Sequence, residues 1–235
     1  MSRAVVASSR TLMITVHHLN NSRSQRVLWL LEELGLAYEV KRYERDAKTM
    51  LAPPELRAVH PLGKSPVITD DHRTVAESGA IIEYLVGRYG AGRLRPAEGT
   101  NERLRYDYWL HYAEGSAMTP LLLKLIFDLI PGQLPAILRP IGRMVCTGIK
   151  HKVVEPQLKN HFDYMESELV THGPWFAGPE FTAADIQMSF PVEVFASRGG
   201  PGAVRPRLED FLEKIHARPA YQRALERGGP YALLK

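Results

Sequence analysis

Apolar positions recur along this chain with two different periods, and the change from one to the other divides it. Residues 14–19 are β-branched and apolar and read as a first strand, and residues 38–43 alternate as a second. Between them Val27, Leu28, Leu31 and Leu34 recur at helical spacing from Gln25 onward, and Gly35 closes that helix as a C′ glycine. A turn-rich piece over 46–62 leaves room for one short helix near 54–58. Residues 66–69 and 73–75 are two short strands joined by the turn Asp70-Asp71-His72. Residues 77–89 then return to helical spacing, with Ile81, Ile82, Leu85 and Val86 on one face. The order β-α-β, a helical turn, then β-β-α predicts two parallel strands around a crossover helix, with an antiparallel hairpin added to them.

Beyond 90–99, rich in Gly, Ala and Pro, the strand period does not return. Residues 102–125 read as a long helix bent near Pro120, and Pro131, Pro135 and Pro140 interrupt the next stretch. Helical spacing resumes over 141–154 and 156–170, and two short helices come later, over 207–217 and 219–227. Thr182-Ala-Ala-Asp185 heads a further helix, its hydroxyl and carboxylate expected to cap each other's backbone donors beside Phe181. The expected organisation is a disordered extension over 1–12, an α/β domain over 13–90, a linker over 91–101 and an all-helical domain over 102–235.

Composition narrows the function classes. The 235 residues are 45% hydrophobic and 24% charged, and the net charge of +4 is scattered, which argues against a nucleic-acid surface. The single Cys146 excludes an internal disulfide and a multi-cysteine zinc site, and it reads as a small core residue. The nine histidines show no metal-ligand spacing, so no metal is expected; His17 and His18 point to opposite sides of their strand. The most apolar window, 121–130, is broken by Lys124 and Asp128, so no membrane insertion is expected and the cytoplasm is the expected location.

The candidate chemistry sits at turns. Ser65-Pro66 can present an extended backbone edge and Glu77-Ser78 a helix N-terminus, two ways of holding a small peptide-like ligand. On the residues alone, blander readings stand beside these. Glu77 and Ser78 are good first-turn residues, Lys64 a solvated loop lysine, and Ser22-x-x-Gln25 a capping box.

Taken in order, the parts carry a resemblance. A strand leads to Asn21-Ser22-Arg23-Ser24 and a helix with Arg26-Val27, then Gly63-Lys64-Ser65-Pro66-Val67, Glu77-Ser78, a linker, and a helical half holding Phe181-Thr-Ala-Ala-Asp185. From Met13 onward this resembles the cytosolic glutathione transferases. The resemblance implies a thioredoxin-like N-terminal domain (β-α-β-α-β-β-α) that binds glutathione as co-substrate. It also implies an all-α C-terminal domain with a pocket for a small-molecule electrophile, a homodimer, and a cis Ser65-Pro66 bond. Ser78 would meet the γ-glutamyl carboxylate, Glu77 the ammonium and Lys64 the glycine carboxylate, with the backbone of Ser65 along the cysteinyl residue.

Ser22 stands where theta- and delta-like relatives carry their catalytic serine, and Asn21, Asn20 and Ser24 compete for the role. A hydroxyl there would donate to the glutathione sulfur. Lowering a thiol pKa of about 8.5 by about two units takes ~2.7 kcal/mol. A hydrogen bond to a charged acceptor supplies ~1.5–3 kcal/mol and a helix N-terminus ~0.3–1. No cysteine lies in residues 1–145, unlike the omega-, beta- and glutaredoxin-like relatives, and the turn departs from the Ser-Ser-Cys-Ser of zeta-like isomerases. Asn21, Tyr108, Tyr112 and Met118, with 121–127, are the candidate electrophile pocket, and the apolar 116–150 reads as a wall or a dimer surface. Conjugation is the implied reaction, with reduction of organic hydroperoxides open to the same thiolate. The alternatives are a specialised dehalogenase, lyase or isomerase, or a binding protein without catalysis.

Overall fold

The computed structural model describes residues 13–46, 49, 51–197 and 205–232, so the expected extension over 1–12 lies outside it. Strand β1 (Ile14–Leu19) is the inner strand on which the first half is built. It pairs in parallel with β2 (Tyr38–Tyr43), from Ile14 opposite Tyr38 to Leu19 opposite Tyr43. On its other edge it runs antiparallel to β3 (Val67–Asp70), which in turn pairs with β4 (Arg73–Ala76), giving the order β2-β1-β3-β4. Ile14 and Val16 join the main core with Leu28 and Leu31 of α1 (Ser24–Leu34) and with Ile82 and Leu85 of α3 (Ser78–Tyr89). Leu19 turns the other way, onto Tyr43 and Leu56 of the short α2 (Pro54–Val59). His17 follows Leu19 to bond the Tyr43 hydroxyl, and His18 faces α1, so the two histidines do part across the strand. Gly35 ends α1 in the left-handed region at φ 68°, where its N–H reaches back to the Glu32 carbonyl.

The second half departs from the sequence reading at its prolines. Helices α4 (Asn101–Tyr112) and α5 (Met118–Gln133) run on as one rod through a π-helical turn, Ala113–Ala117. Pro120, where a bend is expected, has no N–H for the Ser116 carbonyl four residues back, and the ladder widens just before it. The same device recurs between α6 (Arg139–Ile149) and α7 (Glu155–His172), where the turn Lys150–Val154 precedes Pro156. Pro131 falls within the last turn of α5 and Pro140 within the first turn of α6, where its missing donor costs little.

Helix α8 (Ala183–Ser197) is buried on every side from Ala183 to Val194. Its start is held by Asp185, whose carboxylate accepts from Thr182 N–H and Phe176 N–H, each at 2.8 Å. The Thr182 hydroxyl accepts from Ala184 N–H rather than from Asp185, so the aspartate half of the expected mutual cap forms and the threonine half falls one residue out of step. Two last helices, α9 (Pro206–His216) and α10 (Pro219–Gly228), bring the chain back onto α1. There the fully buried Trp29 meets Tyr221 edge-on at 5.0 Å, while Arg218 grips Glu33 and Arg223 and Arg227 reach Glu32. Burying one such aromatic side chain stabilises by ~2–3 kcal/mol, against ~0–1 for an exposed ion pair, so the apolar contact fixes the docking. One continuous core therefore joins the thioredoxin-like sheet domain to the helical domain.

Candidate active site

The C-terminal end of β1 organises the site. The Ser65 hydroxyl donates to the His17 carbonyl at 2.9 Å and accepts from Leu19 N–H at 3.3 Å, pinning the loop before β3 to the strand that delivers the Asn20–Ser24 turn. The Ser65-Pro66 bond is cis. Ala76 pairs with Val67, and Glu77 then turns the chain sharply at φ 71°, a conformation a non-glycine residue holds at a cost of ~1–3 kcal/mol. That turn starts α3 beside the Ser65 loop. Lys64, Ser65, Pro66, Glu77 and Ser78 accordingly line one recess of about 100 Å³, with Arg23 and Glu114 among its other walls.

Arg26 lies beneath this recess and orders it. Its guanidinium is buried and donates to the Gln187 carbonyl at 2.6 Å, to Ser78 Oγ at 3.0 Å and to Glu114 Oε1 at 2.5 Å. Arginine has only donors, so the Ser78 hydroxyl must accept from it. The hydroxyl hydrogen of Ser78 is then left to donate into the recess, beside the unbonded first-turn N–H groups of α3. Glu114 also holds Arg23 Nε at 3.2 Å. Burial pushes the Glu114 carboxyl up, but the two guanidiniums outweigh it and hold it below the ordinary range. Glu114 reaches this position from the π-helical turn, and nothing in the helical periodicity of 102–125 marked it.

A second recess, of about 210 Å³, opens beside the first and shares Arg23 and Ser65 with it. Asn21 and Ser22 line its polar side with Arg45; Met118, Leu121 and Phe190 are among its apolar walls. A cavity of about 150 Å³ holds a benzene ring, so this one has space for a single substituted ring. Asn21 sits at φ 48°, and its Oδ1 accepts from Ala232 N–H at 2.8 Å, which leaves the side-chain amide hydrogens as its free donors.

Ser22 is not the N-cap of α1. Its hydroxyl accepts from Ser24 N–H at 3.3 Å and contacts Ser24 Oγ at 2.7 Å, while Arg23 occupies the cap position without a side-chain bond. The expected capping box with Gln25 is therefore absent: the hydroxyl turns to a donor two residues on, not three. Ser24 in turn contacts His18 Nδ1 at 2.9 Å. Burial, helped by Arg42, pushes the His18 ring down to about 4 against a hydrogen bond to the Gly228 backbone, so the ring is neutral near pH 7.

The structure brings two of the four candidate pocket residues together and separates the others. Met118 and Asn21 share the second recess. Tyr108 and Tyr112, also expected in the electrophile pocket, line neither of these two recesses. Their face of α4 turns to α7, where Tyr112 bonds His161 at 2.5 Å and stacks on Tyr108 at 5.6 Å. Among the described residues no cluster of His, Cys, Asp and Glu could hold a metal ion, and no helix is long and apolar enough to cross a membrane.

Comparison with known proteins bears directly on this geometry. Residues 22–87 match the glutathione S-transferase N-terminal domain and residues 147–227 the C-terminal domain. Glutathione S-transferase 3 of Schizosaccharomyces pombe is 38% identical over 92% of this chain and 88% of its own. The chain is a member of the glutathione S-transferase family. Glutathione S-transferase 1 of Saccharomyces cerevisiae is 31% identical over 92% of this chain and 95% of its own. The crystal structure of a glutathione S-transferase from Actinobacillus pleuropneumoniae superposes with a TM-score of 0.75 at 33% identity, covering 94% of each chain. A sphingomonad glutathione S-transferase solved in complex with glutathione gives 0.68 at 25% identity, over 92% of this chain and 98% of that one. These relatives make the chain a glutathione transferase enzyme.

Proposed function

We propose that this transferase binds glutathione in the first recess and activates its thiol at Ser22 for attack on a small apolar electrophile held in the second. Ser78 meets the γ-glutamyl carboxylate with its hydroxyl and the α3 N-terminus, where the helix dipole favours negative charge. Glu77 meets the ammonium, Lys64 the glycine carboxylate, and the Ser65 backbone runs beside the cysteinyl residue as an added strand would. The sulfur then lies where the two recesses join, at Ser65 and Arg23. The sharing of these two residues by both recesses is the observation that carries the reading.

Ser22 supplies the hydrogen bond to the thiolate and the start of α1 supplies a favourable field. Together they are worth ~2–4 kcal/mol, enough to lower the thiol pKa into the neutral range. The thiolate lone pair forms the new C–S bond as the leaving group departs with its electron pair, or adds to a polarised double bond that then takes a proton. The same thiolate can attack the O–O bond of an organic hydroperoxide, giving the sulfenic acid of glutathione and an alkoxide that takes a proton to leave as the alcohol; a second glutathione thiol then displaces water from the sulfenic sulfur to give the disulfide. We take 13–90 as the glutathione domain, 91–101 as the linker and 102–235 as the helical domain, working as a cytoplasmic homodimer.

Retention on immobilised glutathione, followed by ultraviolet absorbance of the bound thiolate, tests this. Binding with thiolate at neutral pH is the expected result. Binding without thiolate overturns activation, and absence of binding overturns the site. Turnover of an aryl halide and of a hydroperoxide then separates conjugation from reduction.

A further inference from the structure

Apolar side chains left in the open are not spread evenly over this surface. Ten of the seventeen large hydrophobic residues exposed among the described ones fall between 122 and 153, in or beside the hairpin that α5 and α6 make. On α6, Ile141, Met144 and Val145 are 57%, 70% and 50% exposed at helical spacing, and Ile137, 85% exposed, stands on the turn before them. Cys146, on the other side of that helix, is buried. Helix α5 carries a row of its own, with Leu122, Ile126 and Leu129 exposed at i, i+4 and i+7. Leu122 is also a wall of the second recess, so this row reaches the site. The hairpin is packed: the Leu134 side chain fills the space that a Cβ on Gly142 would take. A concentration of exposed apolar side chains of this kind marks a docking surface.

Charge says which partner fits. The stretch 124–154 holds five lysines and arginines against one carboxylate, Asp128, which Lys124 and Lys150 share. Arg139, Arg143 and Lys152 are exposed. Arg139 and Arg143 stand one turn apart on the side of α6 away from Ile141 and Met144. An apolar face backed by lysine and arginine is the pattern of a helix lying in the plane of a lipid surface, its apolar side among the acyl chains and its cations at the headgroups. A second copy is a poorer fit, because a symmetric contact through this face would set the same cations against one another. We propose that the α5–α6 hairpin docks this enzyme reversibly on an anionic lipid surface, with Ile137, Ile141, Met144 and Val145 entering it. The contact is peripheral, since among the described residues no helix is long and apolar enough to cross a membrane.

Sedimentation of the full chain with lipid vesicles tests this. Vesicles of phosphatidylcholine and phosphatidylserine in equal parts should carry the protein down, and vesicles of phosphatidylcholine alone should bind it about tenfold more weakly or worse. Added salt should weaken the binding by screening the surface potential. Ile137→Asp combined with Met144→Asp is expected to lower binding to the anionic vesicles about tenfold or more. Should that pair not fold, Arg139→Glu with Arg143→Glu keeps the apolar face and is expected to lower it by a similar factor. No sedimentation of the unaltered protein with the anionic vesicles overturns the inference and leaves the face to a protein partner. Equal sedimentation with both vesicles overturns the choice of an anionic surface, and binding unmoved by either pair overturns the choice of this face. If gel filtration shows an assembly that Ile137→Asp with Met144→Asp takes apart, the face belongs to a second copy and the inference falls. Turnover of a water-soluble aryl halide without vesicles should not change in either pair, because none of the four residues lines either recess, which keeps this test apart from the reading of Ser22.

Discussion

Arg26 in the first turn of α1 donates to the hydroxyl of Ser78 at the start of α3 across 3.0 Å, although 52 residues separate them. The same guanidinium holds Glu114 and the Gln187 carbonyl. Arg26→Lys keeps the charge but cannot serve three acceptors in one plane. The expected outcome is a rise of about tenfold in the KM for glutathione, corresponding to ~1.4 kcal/mol. Arg26→Leu leaves Glu114 with Arg23 alone and the Gln187 carbonyl and Ser78 without their donor, and should cost about 1–3 kcal/mol of stability. Steady-state kinetics and denaturant titration read the two effects, and an unchanged KM in Arg26→Lys would contradict the role given to the fork.

Ser78 and Lys64 should differ in a way their burial dictates. Ser78→Ala removes a buried bond to a carboxylate, worth ~1.5–3 kcal/mol, and is expected to raise the KM for glutathione more than tenfold with kcat little altered. Lys64 is exposed. Lys64→Ala should raise KM by no more than about fivefold, and less in high salt, because an exposed pair is worth ~0–1 kcal/mol and is screened. KM measured across a salt series checks the contrast.

The acceptor wall separates from the tyrosines of α4. Met118→Asp places a charge in the second recess and should raise the KM for an apolar acceptor about tenfold or more while leaving that for glutathione within about twofold. Tyr108→Ala should change neither constant, since Tyr108 lines neither recess. A pronounced acceptor effect from Tyr108→Ala would return that residue to the pocket.

Stability should fall on mild acidification through His18. Its folded pKa of about 4 lies below the unfolded value of 6.5, so the unfolded chain takes up a proton first. The His18 contribution is complete above pH ~6.5 and is lost as pH falls toward about 4, amounting to about 3 kcal/mol over that window. His17, lowered by burial and by Lys41, adds in the same sense. Denaturant midpoints between pH 7 and 4 measure the slope, and His18→Gln should flatten part of it.

Much of this fold was legible because periodicity and turn residues act locally. The strands, α1 with its Gly35 stop, α3 and the helical second half all follow from spacing. At the prolines a missing N–H predicts an interrupted ladder but not its form, which is a π-helical turn before Pro120 and before Pro156. Lys64, Ser65, Glu77 and Ser78 lie close in sequence and meet in one recess. Glu114 and the role of Arg26 were not legible, because they depend on tertiary contacts spanning 88 and 161 residues. Tyr108 and Tyr112 share a helix face as their spacing requires, but sequence does not say which neighbour that face meets. The capping pattern at Ser22 gave way to a local bond to Ser24 that no four-residue motif encodes.

The pKa of bound glutathione in the unaltered enzyme, in Ser22→Ala and in Asn21→Ala tests the central claim most directly. Titration of the thiolate absorbance should place the unaltered enzyme about two units below free glutathione, and Ser22→Ala should recover at least about one of those units. Asn21→Ala should shift it by less than about half a unit. A pKa unmoved by Ser22→Ala and raised by Asn21→Ala would assign the thiolate to Asn21 and contradict the mechanism.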